Sequence, residues 1–351
     1  MFNSVHSLNP DVVAVFRPEN IFYFTGYWGE GIAVIKKNIP FVYLIVPKLE
    51  IKKAEDQSKD CQIIVSDRGG DMLSNFIGLS SNSNVLSDCN DIDFINYVTP
   101  KLKNFSLTYN HFLAIREVKD TYEIAQISKA SAIIDSLYKI FEEEAKIGSS
   151  ERDLEALILS EAIKRGMNPV SYTANLDPLI IASGKNGSYP HALISNRELE
   201  QGDLVVVDLT LRYNGYVGDA TRTFAVGQID PVLERAYNVV KLSQQEGIEC
   251  IEKSSLYSEI DKRCRESISS NGYGDFFIHS TGHGVGLDVH ELPWISSGSN
   301  NKIKHNTVFT IEPGIYIEEK FGIRIEDTIL FNSSGTVNNL NGYTKDLMVV
   351  E

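Results

Sequence analysis

Residues 204–222 read LVVVDLTLRYNGYVGDATR, and the Asn214-Gly215 step at the centre constrains the chain more than any other feature. Asn-Gly between two strand-like runs dictates a two-residue hairpin with a type I′ turn, because both central residues take positive φ. That turn sets the register. Arg212 is expected opposite Val217, Thr210 opposite Asp219, and Asp208 opposite Thr221. Side chains alternate between faces, so Val205, Val207, Leu209 and Leu211 form a core face. Asp208, Thr210 and Asp219 share the other face. The two carboxylates are diagonal neighbours, roughly 7–8 Å apart, which leaves room for cations between them.

A second stretch follows the same plan: HNTVFTIEPGIYIEEKFGIRIEDTILF, residues 305–331. Glu312 closes an apolar strand before Pro-Gly. Arg324, Glu326 and Thr328 are expected on one face of a strand, with Ile323 and Ile325 on the other. The repetition suggests a duplicated half-domain. Half-buried carboxylates cluster only where something offsets their repulsion. Between the two stretches, HSTGHGVGLDVHELP (279–293) holds His279, His283 and His290, three of the seven histidines in the chain. The glycines argue against a helix there and for close approach of the backbone to a site.

Two Asp, two Glu and one His make a hard, oxygen-rich donor set, suited to Mn, Co, Fe or Zn rather than to a thiolate site. The charge of four carboxylates matches two divalent ions. Such pairs sit ~3.5–4 Å apart and activate a bridging water as nucleophile. A single ion would leave the pocket negative.

The chain has 351 residues, more than one ordinary core, and ~100–200 residues per domain suggests two domains. Residues 11–115 alternate short apolar runs with polar segments. DVVAVFR and GIAVIKKNIPFVYLIV read as strands, the latter broken by a turn near Asn38–Pro40. An α/β N-terminal domain is therefore expected over 1–115. From 116 the period changes, with Ile124, Ile127, Ala130, Ile134, Leu137, Ile140 and Phe141 at helical spacing. Asp120 with Glu123 forms a capping-box pattern, Gly148 is the expected stop, and a second helix ends at Gly166. The rest of the 116–351 domain reads mostly as strands, with helices near 231–251 and 256–271.

The formal net charge of -14 argues against nucleic acid or an anionic membrane as partner. No apolar run reaches 18 residues, so no transmembrane helix is expected. The opening MFNSVHSLNPDVV lacks the pattern of a secretory leader. Cys61, Cys89, Cys250 and Cys264 are scattered, without CxxC spacing. They read as free thiols of a cytoplasmic protein.

Together, VVVDLTLRYNGYVGDATRTF, HSTGHGVGLDVHELP, TIEPGIYI and GIRIEDTIL resemble the pita-bread metallopeptidases: Xaa-Pro dipeptidase (prolidase), aminopeptidase P and methionine aminopeptidase. SGKNGSYPHA (183–192) is similar to the Gly-x-Asn-x-x-x-Pro-His segment of that family. The resemblance covers residues 116–351 and extends more weakly into the N-terminal domain through PENIFYFTGY. It implies an α/β N-terminal domain followed by an α+β pita-bread catalytic domain. It implies Asp208, Asp219, His283, Glu312 and Glu326 as ligands of two divalent ions, with Asp219 and Glu326 bridging. Glu312 would also act as general base. His191 and His290 would contact the substrate carbonyl and the tetrahedral intermediate, and His279 would line the subsite near the scissile bond. Arg324 is either a substrate contact or an ion pair holding a carboxylate.

The extra N-terminal domain points to the prolidase and aminopeptidase P branch. The expected substrate is a short peptide with proline in second position, whose tertiary amide has no N–H. Trp294 stands where compact prolidases tend to carry an arginine that holds the dipeptide carboxylate. It could pack on a proline ring or serve as a rim aromatic. The expected activity is Xaa-Pro dipeptidase, with aminopeptidase P as the alternative. A non-catalytic pita-bread binding protein and a metal-free creatinase-like enzyme are further readings, and intact ligand positions argue against both. A homodimer is expected, with FYFTGYW (22–28) as a candidate contact or a core segment.

Overall fold

The hairpin forms in the register that its turn demands. In a computed structural model that describes residues 10–170 and 179–351, Thr210 pairs with Asp219, Asp208 with Thr221 and Arg212 with Val217. Asn214 and Gly215 both have positive φ, 47° and 90°. The stretch read for a leader falls mostly on residues 1–9, outside the described residues. The chain divides into two compact units, residues 1–116 and 117–351.

Among the described residues of the first unit, β1 (Val12–Val15), β2 (Ile32–Lys36), β3 (Val42–Pro47), β4 (Cys61–Ser66), β5 (Asn84–Ser87) and β6 (Asn104–Leu107) form one sheet. Its order is β4-β3-β2-β1-β5-β6. The β1–β2 and β2–β3 pairs are antiparallel and the others parallel. The β2–β3 turn passes through Asn38 at φ 68°, a left-handed position that asparagine tolerates. Val12, Ala14 and Val34 pack on one face of the sheet, and Val13, Val15 and Leu44 on the other. A central strand covered on both faces reads as a continuous apolar run, as β1 does. Helices α1 (Pro18–Thr25), α2 (Ile51–Gln57), α3 (Gly70–Ser80), α4 (Ile92–Val98) and α5 (Asn110–Arg116) complete the unit. The aromatic segment 22–28 runs from α1 through a left-handed Gly26. Its Tyr27 is fully buried, and Phe22 meets Trp28 edge to face.

The second unit opens with α6 (Thr121–Glu144), whose capping box between Asp120 and Glu123 is formed. The helix stops short of Gly148. Ala145 turns extended and buries its methyl in the core, while Gly148 bends the following loop and donates its N–H to Leu199 O. Then follow α7 (Glu151–Lys164), β7 (Met167–Pro169), β8 (Ile180–Ser183), β9 (Leu204–Tyr213), β10 (Tyr216–Val226), α8 (Pro231–Cys250), α9 (Tyr257–Ser270), β11 (Gly282–Gly284), β12 (Glu291–Ile295), β13 (Thr307–Ile311), β14 (Gly314–Ile317), β15 (Phe321–Arg324), β16 (Asp327–Phe331), β17 (Val337–Asn339) and β18 (Val349–Val350). One sheet runs β18-β10-β9-β7, with β8 also on β9; another runs β12-β11-β13-β16-β17; β14 and β15 pair separately. Val205, Val207, Leu209 and Leu211 are fully buried with Ile134, Leu137 and Phe141 of α6. Ala236 and Val240 of α8 and Ile260 of α9 pack in the same way with Phe309, Ile311 and Ile323.

One expectation is corrected. GIRIEDTIL is not a single strand: β15 ends at Arg324 and β16 begins at Asp327, in different sheets. The cause is β10, which takes over the backbone bonds across the break. Arg324 N donates to Thr223 Oγ1, which donates in turn to Arg324 O. Glu326 exchanges backbone bonds with Thr221. The jump brings Glu326 onto the Asp219 strand.

Among the described residues no helix is long and apolar enough to cross a membrane. The four cysteines are free thiols.

Candidate metal centre

All ten residues singled out from the sequence line one cavity of the second unit: Asp208, Asp219, His283, Glu312, Glu326, His191, His279, His290, Trp294 and Arg324. Strand geometry explains the convergence. Asp208 and Asp219 project from the paired β9 and β10, and Glu326 sits in the break beside Thr221. Glu312 follows the last residue of β13, and His283 is the middle residue of β11. β11 is squeezed between neighbours: a Cβ on Gly282 would lie 1.9 Å from Thr310 O, and one on Gly284 2.1 Å from Leu292 O. Only glycine permits that approach. The glycines around His283 thus bring strands together, and that places the imidazole.

Ligand atoms of Asp219, His283 and Glu326 lie within 4.8 Å of one another. His283 Nε2 is 3.2 Å from Glu312 Oε1 and 3.8 Å from Asp219 Oδ2. Hydroxyls of the same strands hold the carboxylates. Thr210 Oγ1 donates to Asp219 Oδ1 at 2.8 Å, Thr221 Oγ1 to Glu326 Oε2 at 2.6 Å, and Thr310 Oγ1 lies 3.2 Å from Glu312 Oε1. Arg324 completes the frame. Its guanidinium donates to Thr221 Oγ1, Pro190 O, Tyr316 Oη and Asp208 Oδ2. Of the two readings of Arg324, the ion pair to a carboxylate is the one observed, at 2.6 Å.

The electrostatics call for cations. Burial, and then the neighbouring Asp208, push the Asp219 carboxyl well above the usual range. Burial and Asp219 do the same to Glu326. Burial also pushes Glu312 up, but the hydrogen bond and charge of His283 outweigh it and hold Glu312 at about 2. With protein groups alone, burial and like charge work against the ionised forms of Asp219 and Glu326. Four hard oxygen donors and an imidazole, with two carboxyls raised by burial and by neighbouring carboxylates, fit divalent metal ions.

The remaining candidates form the walls. His279 accepts from Tyr316 Oη through Nε2 at 3.1 Å and donates from Nδ1 to Ser280 O, an arrangement that fixes its neutral tautomer. Burial lowers its pKa in agreement. Burial pushes the Tyr316 phenol up to about 12, against the pull of Arg324. The rings of His290 and Trp294 stack at 6.2 Å and 18°, and His290 meets His283 edge to face at 4.1 Å. Burial, then the neighbouring His283, lower the His290 pKa to about 3. Trp294 is 41% exposed, so it lies at the rim.

Family models match both units: Metallopeptidase family M24 over residues 125–333, and the Creatinase/Prolidase N-terminal domain over residues 5–86. The chain belongs to metallopeptidase family M24. Among its M24 relatives, it is 33% identical to an Xaa-Pro dipeptidase of Pyrococcus furiosus over 93% of this chain and 92% of that one. The solved prolidase from Pyrococcus furiosus superposes with a TM-score of 0.89, at 31% identity, over 98% of this chain and 100% of that one. An X-Pro aminopeptidase from Thermotoga maritima superposes with a TM-score of 0.87, at 28% identity, over 99% of this chain and 100% of that one. The protein is thus a metal-dependent peptidase with the pita-bread fold.

Several residues around the M24 site carry no sequence signal. Tyr316 and Thr221 join the Arg324 frame only through tertiary contact. Lys119 and Glu291 form an ion pair with both side chains buried, and Glu291 adjoins His290. Arg222 donates to Glu326 O, Thr221 O and Asp327 Oδ1, bracing the Glu326 segment from behind.

Proposed function

We propose that this M24 peptidase hydrolyses Xaa-Pro peptide bonds, with the Xaa-Pro dipeptide as its principal substrate. The reading is carried by one observation: four carboxylates and an imidazole meet in one cavity, where burial and neighbouring carboxylates push two of the carboxyls well above their ordinary range. Asp208, Asp219, His283, Glu312 and Glu326 would hold two divalent ions, drawn from Mn, Co, Fe or Zn. When bound, such ions lower the pKa of water and polarise a carbonyl.

The chain's own residues supply the rest. Glu312 Oε1 faces His283, leaving Oε2 as the atom that takes the proton of the attacking water. The water oxygen bonds to the scissile carbonyl carbon, and the same proton passes to the prolyl nitrogen as the C–N bond breaks. His290 is held neutral, so it can donate an N–H to the developing oxyanion, and His191 faces the same cavity. Arg324 positions Asp208. His279 and Trp294 line the substrate walls.

A second reading is release of the N-terminal residue from longer Xaa-Pro peptides. One observation favours it. Among the described residues, Arg324 is the one Lys or Arg side chain lining the cavity, and it is committed to Asp208. No such cation is left there for a dipeptide carboxylate. Turnover of Leu-Pro, Leu-Pro-Pro and Leu-Ala by Mn-loaded protein separates these readings. Preference for Leu-Pro over both others is expected. Preference for Leu-Pro-Pro establishes the second reading, and equal cleavage of Leu-Ala contradicts proline specificity.

Residues 1–115 are proposed as the N-terminal domain and 116–351 as the catalytic domain of a cytoplasmic homodimer. Sedimentation at micromolar concentration tests the dimer.

A further inference from the structure

Glu151 is the first residue of α7 and is fully buried; the nearby cation, Arg197, reaches it through Ser183 Oγ. Its carboxylate accepts five hydrogen bonds. Oε1 takes Ser183 N and Ser183 Oγ, both at 2.7 Å. Oε2 takes Asn186 Nδ2 at 2.8 Å, Ser195 N at 3.1 Å and Ser195 Oγ at 2.7 Å. Two oxygens offer about four lone-pair sites, so the group is saturated.

These donors flank one segment. Ser183 and Asn186 lie before His191, and Ser195 lies after it. Asn186 also donates to Leu193 O, closing the segment on itself. Arg197 fixes the two serine hydroxyls from outside: its Nη1 donates to Ser183 Oγ and its backbone N to Ser195 Oγ. Each serine hydroxyl therefore has its single proton directed at Glu151. The N-terminus of α7 favours a carboxylate in that position as well. Between the two anchor points, Pro190 O accepts from Arg324 Nη1, and His191 faces the cavity.

We infer that Glu151 is a positioning residue for His191: its buried carboxylate clamps both shoulders of the 183–195 segment and so holds the imidazole against the substrate site. The inference rests on the role proposed above for His191. Charge is part of the device. An amide in place of the carboxylate turns one acceptor into a donor that faces serine and asparagine donors.

The test is a double-substitution cycle on the Mn-loaded enzyme with Leu-Pro, reading kcat, KM and the thermal midpoint. Glu151→Gln is expected to lower kcat by about 10²-fold, as a misplaced group does, with a smaller change in KM. Combined with His191→Ala, it is expected to cost less than about twofold further, because the group it positions is gone. The thermal midpoint should still fall in both backgrounds, since the fold contacts are the same. Equal loss of kcat in both backgrounds overturns the inference and leaves Glu151 as a stability residue. Full kcat for Glu151→Gln alone overturns it as well. An H191A enzyme as active as the parent overturns the role of His191 itself, and this inference with it. If Glu151→Gln does not fold, Ser195→Ala removes one of the five donors and carries the same cycle, with an expected loss of about 3–10-fold on the same reasoning.

Discussion

Arg324 Nη2 lies 2.6 Å from Asp208 Oδ2, inside a cavity wall where the arginine side chain is 4% exposed. The same guanidinium holds Thr221, Tyr316 and Pro190 O. It therefore joins a carboxylate of the first hairpin to the wall of the second half. A lysine keeps the charge but cannot match a planar fork. Arg324→Lys is expected to weaken Mn binding by ~10–100-fold, the usual effect of losing an outer partner of a metal ligand. Calorimetric titration with Mn measures this, and unchanged affinity would show that Asp208 needs no such partner.

Asp219→Asn tests the carboxylate argument directly. Asp219 approaches His283 and shares the Thr210 hydroxyl. Loss of its charge should lower activity by more than the roughly 10–100-fold typical of an outer partner. Metal content measured by elemental analysis should fall with it. A variant that keeps its metal and full activity sinks the hairpin reasoning.

The hairpin shows how far sequence alone reaches. Asn214-Gly215 sets the pairing by local chemistry, so the shared face of Asp208 and Asp219 is legible from adjacent residues. The α6 capping box is legible for the same reason. GIRIEDTIL is not, because its break depends on Thr221 and Thr223 of β10, about a hundred residues away in the chain. Nor is Glu151, whose donors lie 32 to 44 positions along the chain. Buried charge networks carry no periodic pattern, and only the folded chain brings their members together.

Lys119 and Glu291 illustrate the same point and give a stability prediction. Their side chains are 0% and 1% exposed, 172 positions apart in sequence. Lys119→Met leaves a buried carboxylate without its cation and should cost ~3–5 kcal/mol. The K119M/E291L double variant should recover most of that loss, because an apolar pair removes the uncompensated charge. Urea unfolding of the three proteins measures it. A double variant no more stable than K119M would contradict the argument.

The metal-free protein should show an unusual pH dependence. The Asp219 and Glu326 carboxyls are held well above their ordinary range by burial and then by a neighbouring carboxylate, Asp208 for Asp219 and Asp219 for Glu326. Folded protein then keeps protons that the unfolded chain releases near pH ~4. Stability is highest below that value and falls as pH rises towards the folded pKa. Glu312, held at about 2, acts in the opposite sense, but its contribution is lost only at lower pH. His279 and His290, both lowered first of all by burial, oppose this over the same range, because there only the unfolded chain protonates them. The two carboxyls should therefore make the thermal midpoint of chelated protein, relative to that of the Mn-loaded protein, higher at about pH 5.5 than at about pH 7.5. With Mn bound the midpoint should fall more steeply on acidification, because protons compete with metal for the same oxygens. Equal slopes with and without metal would contradict the assignment of these carboxylates as ligands.

The central claim is that this cavity needs a divalent metal in order to cleave an Xaa-Pro bond. The direct measurement is Leu-Pro hydrolysis by chelated protein before and after Mn or Co is added back. The account predicts no cleavage after chelation and full recovery on addition. Cleavage that survives complete removal of metal would contradict it.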